Sequence, residues 1–455
     1  MQHDRFAPIT GKERPLPRRH RAITLDSIAA LILTIGMFLC LLRGTMMWYD
    51  YPTTQGQNAS VDPWPMQLLL YSLLPFSLLY ILLDHRRVLD RLRHPSPLVL
   101  AFLFCLTFSV LLSVDLQASL RGFAALMCLS LPPLLYAWRF GERSVFAMLR
   151  WFAVFAILAN LAFTLISPNG TMTDEHAGAM RGMFLSKNSF GSFAAVCFLL
   201  LLPTRTEWDV RNLWRLGMAA LAFACAIASR SSTALIVTCV GLAAVTMLDV
   251  VGRVSSRAFR SIGVVALTIC LIALIGLLGM VVLDTVSSYF GKDITMSGRT
   301  ELWAALWKHA FDYPLTGHGY AMFRQTDYFR EMAQEIEWGP RSTHNSYLET
   351  LLEIGLPGTL CWFAFLFSHL FRRIVRLPTE RQAESIRHRL TAVVMMILFV
   401  SLTEAAQMLS PNSVMWPIML AILAAPLARH KMWETRPKRK GPLYPRKTDV
   451  AILVR

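Results

Sequence analysis

Residues 24–42 read TLDSIAALILTIGMFLCLL, a stretch that is almost entirely apolar after its first turn. A helix needs about 20 predominantly apolar residues to cross the hydrocarbon core of a bilayer, so this stretch predicts a transmembrane helix. The composition of the whole chain agrees, because only 16 % of its residues are charged. Soluble domains usually carry about 25 %.

Eleven further apolar stretches follow along the chain. They are 66–83, 98–114, 120–138, 148–166, 189–203, 216–229, 234–248, 263–283, 348–371, 391–409 and 414–428. Two of them, 216–229 and 234–248, are short for a hydrocarbon core of about 30 Å, as helices inside a bundle can be. The sequence therefore predicts an all-α polytopic membrane protein of about twelve transmembrane helices.

The chain has no tandem repeat, and we predict one integral membrane domain over residues 23–428. Basic tails precede and follow it, at 1–22 and 429–455. The longest hydrophilic connection within the domain is 284–347, about 60 residues. Connections of that length inside a compact protein are usually functional.

The basic residues predict the orientation of the chain, because 34 of the 45 Lys and Arg residues lie in alternate connections. These connections are 1–22, 84–97, 139–150, 204–215, 249–261, 372–390 and 429–455. Short connections rich in Lys and Arg stay in the cytoplasm, so both termini are predicted to be cytoplasmic. The net charge of +16 is then explained by topology and anionic lipids rather than by nucleic acid. An RNA-binding tail at 436–447 is the weaker alternative.

The connection 284–347 is predicted to be structured and to lie on the outer face. Its segment ELWAALWKHAF (301–311) spaces Leu302, Trp303, Leu306 and Trp307 along one helical face. This pattern is typical of an amphipathic helix lying on a membrane surface. The many aromatic rings of the connection indicate either an interfacial belt or surfaces that stack on sugars.

Several cations are predicted at this outer face. Arg230 lies between two apolar runs, where a charge is costly, and it is a functional candidate unless it reaches the membrane interface. Arg181 and Lys187 precede the sixth span, and Arg299 precedes the amphipathic segment. Guanidinium groups bind phosphate oxygens in pairs, so together these residues would suit a phosphate group.

His344 lies where the long outer connection meets the tenth span. A neutral imidazole at that position could accept a proton from an attacking hydroxyl group. The alternative is a structural histidine at the entrance of a helix.

These residues lie in segments that resemble the bacterial O-antigen ligases and the O-antigen and exopolysaccharide polymerases. One block of the resemblance is His344-Asn345, followed by nine residues and then by GLPG at 355–358. Four further blocks also resemble these proteins. The blocks are RGMFLSKNSFG (181–191), SRSST (229–233), SGRTELW (297–303) and PLTGHGYAMF (314–323). The KN pair and SVDLQASLRG (113–122) most resemble the exopolysaccharide-polymerase branch. The similarity covers most of residues 100–360, in order.

The resemblance implies a membrane-embedded glycosyltransferase of the GT-C-like type in the bacterial inner membrane, inverting and without a metal or other cofactor. The donor would be a glycan on undecaprenyl pyrophosphate. The acceptor would be a lipid-linked glycan or lipid A core. His344 would be the catalytic base, or would orient the acceptor hydroxyl. Arg230 and Arg299 would bind the donor pyrophosphate, with Arg181 and Lys187 as helpers. Polar residues of the same blocks would support the site, namely Asn188, Asn345, Tyr347, His318 and Tyr320.

Three functions remain open at this stage. A polymerase is slightly favoured over an O-antigen ligase, which shares its donor and motifs, and a flippase of lipid-linked oligosaccharide is the non-enzymatic alternative. A chain-length regulator would be a further partner of a polymerase. No D-x-D motif occurs, and Asp174-Glu175-His176 is a weak metal candidate because consecutive residues rarely point at one ion. All eight cysteines lie in apolar runs, which indicates neither disulfides nor a metal site.

Overall fold

The computed structural model describes residues 24–45, 64–93, 95–173, 176–207, 209–253, 299–336, 339–340, 342–376, 380–405 and 407–426. Within these residues the protein is α-helical and contains no strand. An antiparallel bridge joins Thr171 to Met180. The predicted all-α fold is therefore confirmed for the described part of the chain.

The described residues form thirteen α-helices, linked by turns and short 3-10 segments. They are α1 (Leu25–Thr45), α2 (Trp64–Leu83), α3 (His85–Leu92), α4 (Pro97–Leu111), α5 (Leu116–Ile166), α6 (Lys187–Leu201), α7 (Leu213–Ala228), α8 (Ser232–Gly252), α9 (Arg299–His309), α10 (Asp327–Glu335), α11 (Ser346–Val375), α12 (Arg381–Val400) and α13 (Met415–Ala424).

Eleven of the twelve predicted spans coincide with helices of the described part, and the remaining one, 263–283, lies outside it. Five described helices, α1, α2, α5, α8 and α11, are individually long and apolar enough to cross a membrane. The bent pair of α3 and α4 would make six, and α6, α7 and α13 are shorter apolar helices. These features fit a multi-pass membrane protein.

One boundary differs from the prediction. The apolar run 391–409 is helical only as far as Val400, where α12 ends, and the described residues 401–405 form turns and bends. The predicted helices 120–138 and 148–166 correspond to the two halves of α5, which meet at a kink at Gly141. Gly141 has a φ of +74°, a conformation that glycine adopts without a steric penalty.

One end of the bundle, which we call the basic end, gathers the connections 84–97, 139–150, 204–215 and 372–390. Ion pairs join these connections to one another and to nearby helices. They are Arg139–Asp84, Arg143–Glu380, Arg150–Glu207, Arg373–Glu142 and Arg387–Glu142. We call the opposite end, where α11 begins at Ser346, the site end.

Helix α6 lies at the centre of the bundle. Twelve of its fifteen residues are buried, and it packs against α5, α7, α8 and α12. Its small residues permit this approach: a Cβ atom at Gly191 would lie 2.4 Å from the hydroxyl of Ser229. Helix α6 begins at Lys187, so its first turn lies at the site end, and the packing of the helix holds that turn in place.

The long outer connection folds onto the start of α11. Leu302 and Leu306 of α9 are fully buried against a small core shared with α10 and α11. The amphipathic helix is thus present, but its apolar stripe packs on protein rather than on a membrane surface as the sequence pattern suggested. Trp307 of α9 and Phe311, just after the helix, remain about half exposed.

A break at Gly355 divides α11 into a short N-terminal segment and a long span. Gly355 has a φ of +67° and packs against the backbone of Leu315 and Gly317, so that an added Cβ atom would lie 2.7 Å from the Leu315 carbonyl carbon. The segment 346–354 therefore takes its own direction, and it carries the residues next to His344.

Candidate active site

His344 precedes α11 in a conformation that the surrounding hydrogen bonds stabilise. Its φ is +48°, in the left-handed region that residues with a Cβ atom rarely adopt. The Asn345 side chain caps α11 by accepting hydrogen bonds from the backbone N–H groups of Tyr347 and Leu348, both at 3.0 Å. On the other side, the indole N–H of Trp303 donates to the Thr343 carbonyl at 3.0 Å. Strain held in place by its neighbours is frequent at active sites.

The carboxylate of Glu404 joins three of the predicted site residues. Its Oε1 accepts from Arg299 at 3.1 Å and from the Asn188 side chain at 3.2 Å. Its Oε2 lies 4.0 Å from Nδ1 of His344. The side chain of Glu404 is only 8 % exposed. One carboxylate therefore links α9, the first turn of α6 and the entrance of α11.

Hydrogen bonds from Ser346 hold the turn that carries Glu404. The Ser346 hydroxyl donates to the Glu404 carbonyl at 2.7 Å and accepts from the Gln407 N–H at 3.0 Å. The Ser346 N–H donates to the Ser401 carbonyl at 2.9 Å. The first residue of α11 thereby fixes the Glu404 carboxylate relative to the histidine two positions before it.

The electrostatics of this cluster keep the imidazole neutral. Burial, reinforced by the positive charge of Arg299, lowers the pKa of His344 to about 4. Burial also raises the pKa of Glu404, against the opposing effect of Arg299 and Asn188. A neutral imidazole near pH 7 can accept a proton, and the carboxylate 4.0 Å away stabilises the imidazolium that would form.

Arg230 and Lys187 form a second group beside the first. Arg230 joins α7 to α8 with a φ of +49°, so its backbone turns sharply at the site end. The Lys187 ammonium donates to the Arg230 carbonyl at 3.3 Å, and the Arg230 guanidinium donates to the Ala177 carbonyl at 3.2 Å. Lys187 and Asn188 are consecutive in α6, so this group adjoins the Glu404 cluster.

Arg181 lies at the edge of this arrangement. Its Nε donates to the Asn169 carbonyl at 2.7 Å. The following segment is fixed by the Asn160 side chain, which accepts from the Met183 N–H at 2.7 Å. Arg181 thus helps to hold the loop before α6, and in the described part of the chain it does not join the Glu404 cluster.

Three predicted supporting residues belong to the scaffold. The Nδ1 atom of His318 lies 3.0 Å from the Leu352 carbonyl, and the Tyr320 hydroxyl donates to the Leu409 carbonyl at 2.6 Å. The Tyr347 hydroxyl donates to the Leu398 carbonyl at 2.8 Å. These hydrogen bonds position α11 and the turn after α12.

Two of the sequence blocks lie against each other in the fold. The hydroxyl of Ser119 donates to the Tyr320 carbonyl at 2.8 Å, and the Val114 N–H donates to the His318 carbonyl at 3.4 Å. A Cβ atom at Gly319 would lie 2.2 Å from the Ser113 hydroxyl. The segments 113–122 and 314–323 therefore serve the shape of the site end, whereas Lys187, Asn188, Arg230, Arg299 and His344 supply its chemical groups.

Glu404 is not among the predicted site residues, because the predicted span 391–409 includes it. The signal was present: Glu404 is the only acidic residue in that apolar run. An ionisable residue within an apolar run is a functional candidate on physical grounds.

Two residues of the metal candidate, Asp174 and Glu175, lie outside the described residues. Within the described ranges, no three His, Cys, Asp or Glu side chains are grouped so that they could hold a metal ion.

Comparison with known proteins connects this geometry to a family. Residues 217–363 match the sequence model of a family described as O-antigen ligase, a segment that contains Arg230, Arg299 and His344. The chain is also 28 % identical over 223 residues to the exopolysaccharide production protein ExoQ of Rhizobium meliloti (strain 1021). That match covers 45 % of this chain and 49 % of the relative, about half the length of each. The predicted resemblance to the superfamily of O-antigen ligases and polysaccharide polymerases is thereby confirmed.

Proposed function

We propose that this protein is a glycosyltransferase of the bacterial inner membrane. It polymerises oligosaccharide repeat units carried on undecaprenyl pyrophosphate, at the periplasmic face, to build a surface or secreted polysaccharide. The observation that carries the proposal is the meeting of His344, Arg299 and Asn188 at the buried carboxylate of Glu404. This arrangement offers a base and a fixed cation within one site.

The donor side of the reaction needs positive charge. When the bond between the anomeric carbon and the pyrophosphate oxygen breaks, the electron pair stays on the leaving pyrophosphate. Arg230, Arg299 and Lys187 would stabilise that charge, with Arg181 as a more distant helper. Because the fold already holds these cations in place, they need little reorganisation during the reaction. This preorganisation is the main source of electrostatic stabilisation of the transition state.

The acceptor side needs a base. The acceptor hydroxyl attacks the anomeric carbon from the face opposite the pyrophosphate, and its proton passes to the neutral imidazole of His344. The low pKa of His344, about 4, ensures that the imidazole is unprotonated before the reaction. Glu404 stabilises the imidazolium after the proton transfer. A single displacement inverts the configuration at the anomeric carbon and leaves no covalent enzyme intermediate.

The proposed topology is a GT-C-like bundle of twelve spans with both termini in the cytoplasm. Contacts among the connections rich in Arg support it, because they lie together at the basic end. Helix α8 ends at that end, while α9 begins beside Glu404 at the site end, as a span over 263–283 would require. The positive-inside rule then assigns the basic end to the cytoplasm.

An O-antigen ligase is the second candidate, since the matching family model carries that description. A ligase would use the same donor and the same site but transfer the glycan to lipid A core. The similarity to a protein of exopolysaccharide production favours the polymerase.

A deletion strain examined for its surface glycans tests the proposal. Loss of the secreted or long-chain polysaccharide, with a completed core, is the result expected for a polymerase. Accumulated lipid-linked polymer with unmodified core would indicate the ligase instead. Normal surface glycans, or repeat units that remain trapped in the cytoplasmic leaflet, would contradict both enzymes and favour a flippase.

Metal independence is tested separately. Because Arg and Lys supply the positive charge in the proposed mechanism, we expect transfer in isolated membranes to continue at an unchanged rate in EDTA. A loss of activity that Mg²⁺ reverses would contradict this prediction and would point to the acidic residues at 174–175.

A further inference from the structure

A cavity at the basic end is separate from the candidate active site. It has a volume of about 230 Å³ and lies between the α2–α3 junction and the first half of α5. Its walls are formed by Tyr80, Arg87, Val88, Asp90, Arg91, Leu135, Trp138 and Arg139. The lining therefore combines apolar and aromatic side chains with three guanidinium groups and one carboxylate.

Among the described residues, the lining of this cavity includes three arginines, at 87, 91 and 139, and one carboxylate, Asp90. Asp26 and Asp84 pair with Arg87 and Arg139. Arg139, only 5 % exposed, is held by Asp26 at 2.9 Å and by Asp84 at 2.5 Å, so it has a structural role. Asp90 pairs with Arg93 at 3.0 Å. Within the described residues no carboxylate forms an ion pair with Arg91, and Arg87 shares its partners with Arg139.

Helix α3, which contributes Arg87, Val88 and Arg91 to the cavity, also has apolar side chains exposed on the surface of the bundle. Leu89 and Leu92 of α3 are each 53 % exposed, and Leu82 just before it is 73 % exposed. The axes of α3 and α4 lie at 96° to each other. An exposed mixture of leucine and arginine on a helix at the end of a membrane bundle is typical of a helix at the lipid headgroup level.

We propose that this cavity binds the headgroup of an acidic phospholipid such as phosphatidylglycerol. The phosphate would contact Arg87 and Arg91, and the start of the acyl chains would lie along Val88, Leu135 and Trp138. Basic pockets between membrane helices on the cytoplasmic side suit such headgroups, since each arginine near the surface contributes about 1 kcal/mol. The lipid would join α3 to α5 at a point where Arg139 already links α5 to Asp26 and Asp84.

Lipid binding to the full-length protein, purified in a neutral detergent, tests the site. Titrations with phosphatidylglycerol and phosphatidylcholine are followed by native mass spectrometry, and inorganic phosphate is added in a separate arm. For wild type we expect preferential binding of phosphatidylglycerol, and for Arg87→Gln/Arg91→Gln a loss of affinity of about 30-fold. Arg91→Gln alone, with a loss of about fivefold, serves if the double variant does not fold.

The matched control is Arg86→Gln, compared with Arg91→Gln. It removes the same charge from the same helix, but Arg86 does not line the cavity. We expect this variant to bind phosphatidylglycerol as wild type does. Equal losses in Arg86→Gln and Arg91→Gln would overturn the proposal in favour of diffuse charge attraction. Equal binding of phosphatidylcholine would overturn the proposal as well. Competition by inorganic phosphate at equal concentration would also overturn it, because the site would then bind a free anion rather than a lipid.

Discussion

At the basic end of the bundle, the guanidinium of Arg150 donates to both oxygens of Glu207, at 2.6 and 2.8 Å. At the site end, the guanidinium of Arg230 donates to the backbone carbonyl of Ala177, and no carboxylate of the described residues forms an ion pair with it. Both arginines lie next to apolar helices. Within the described residues, they differ in whether a carboxylate is paired with the guanidinium charge.

The carboxylate partners show the same difference. Burial opposes ionisation of Glu207, but the hydrogen bonds from Arg150 and Thr204 outweigh it and lower the pKa of Glu207 to about 2. Glu404, with Arg299 and Asn188 as donors, has a pKa that burial raises above the usual value. The pair of Arg150 and Glu207 is therefore a satisfied ion pair that serves stability. At the site end, the described residues give Arg230 no such carboxylate, so an incoming phosphate could neutralise its charge.

Replacement of His344 gives the largest expected effect on transfer. His344→Ala removes the base, and general base catalysis is typically worth about a thousandfold in rate. The measurement is glycan output in the deletion strain, normalised to the amount of protein in the membrane. Output at the wild-type level with normal insertion would exclude a catalytic role for His344.

Replacements of Arg299 and Arg230 test the charge at the site end. We expect Arg299→Ala and Arg230→Ala to lose about a hundredfold in transfer, the usual cost of removing one group that stabilises a developing anion. Lysine should restore part of the activity at each position, because it keeps the charge but loses the paired geometry. Equal activity of the Arg, Lys and Ala forms at both positions would remove the pyrophosphate role.

The pH profile of kcat/KM tests the electrostatics around His344. The pKa of this residue is lowered from 6.5 to about 4, so the base stays neutral as the pH falls through 6.5 and becomes protonated only near pH 4. Glu404→Gln, with an expected loss of about tenfold, removes the titration of the carboxylate and leaves that of the imidazole. An acid limb centred near pH 6.5 in both proteins would show that the imidazole is not buried as described.

Replacement of Arg150 is expected to affect transfer least. Arg150→Gln leaves the buried Glu207 with a weaker partner and should lower the free energy of unfolding by about 2 kcal/mol. Thermal unfolding in detergent measures this loss, while the rate per folded molecule should equal that of wild type. A variant with normal stability and reduced turnover would contradict the structural role that we assign to the basic end.

The sequence predicted most of the fold because hydropathy and helix length are local properties. The predicted helix 391–409 was wrong after Val400. The apolar run continues beyond that residue, but hydrogen bonds from Ser346 to Ser401 and Glu404 hold the backbone in turns. The contact between Arg299 and Glu404 joins residues 105 positions apart, and no local pattern indicates it. For the same reason the sequence could not separate Tyr347, whose hydroxyl faces Leu398, from the residues that contact Glu404.

The glycine at position 355 also bears on how variants of this protein would be interpreted. Its backbone conformation and its tight contact with residues 315–317 leave no room for a larger side chain. A substitution there would change the direction of the segment 346–354, which follows His344, without altering any of the predicted site residues. In a genetic screen such an allele would resemble the loss of His344, although every predicted site residue was still present. Selection at position 355 would therefore act on the shape of the backbone rather than on the chemistry of the site.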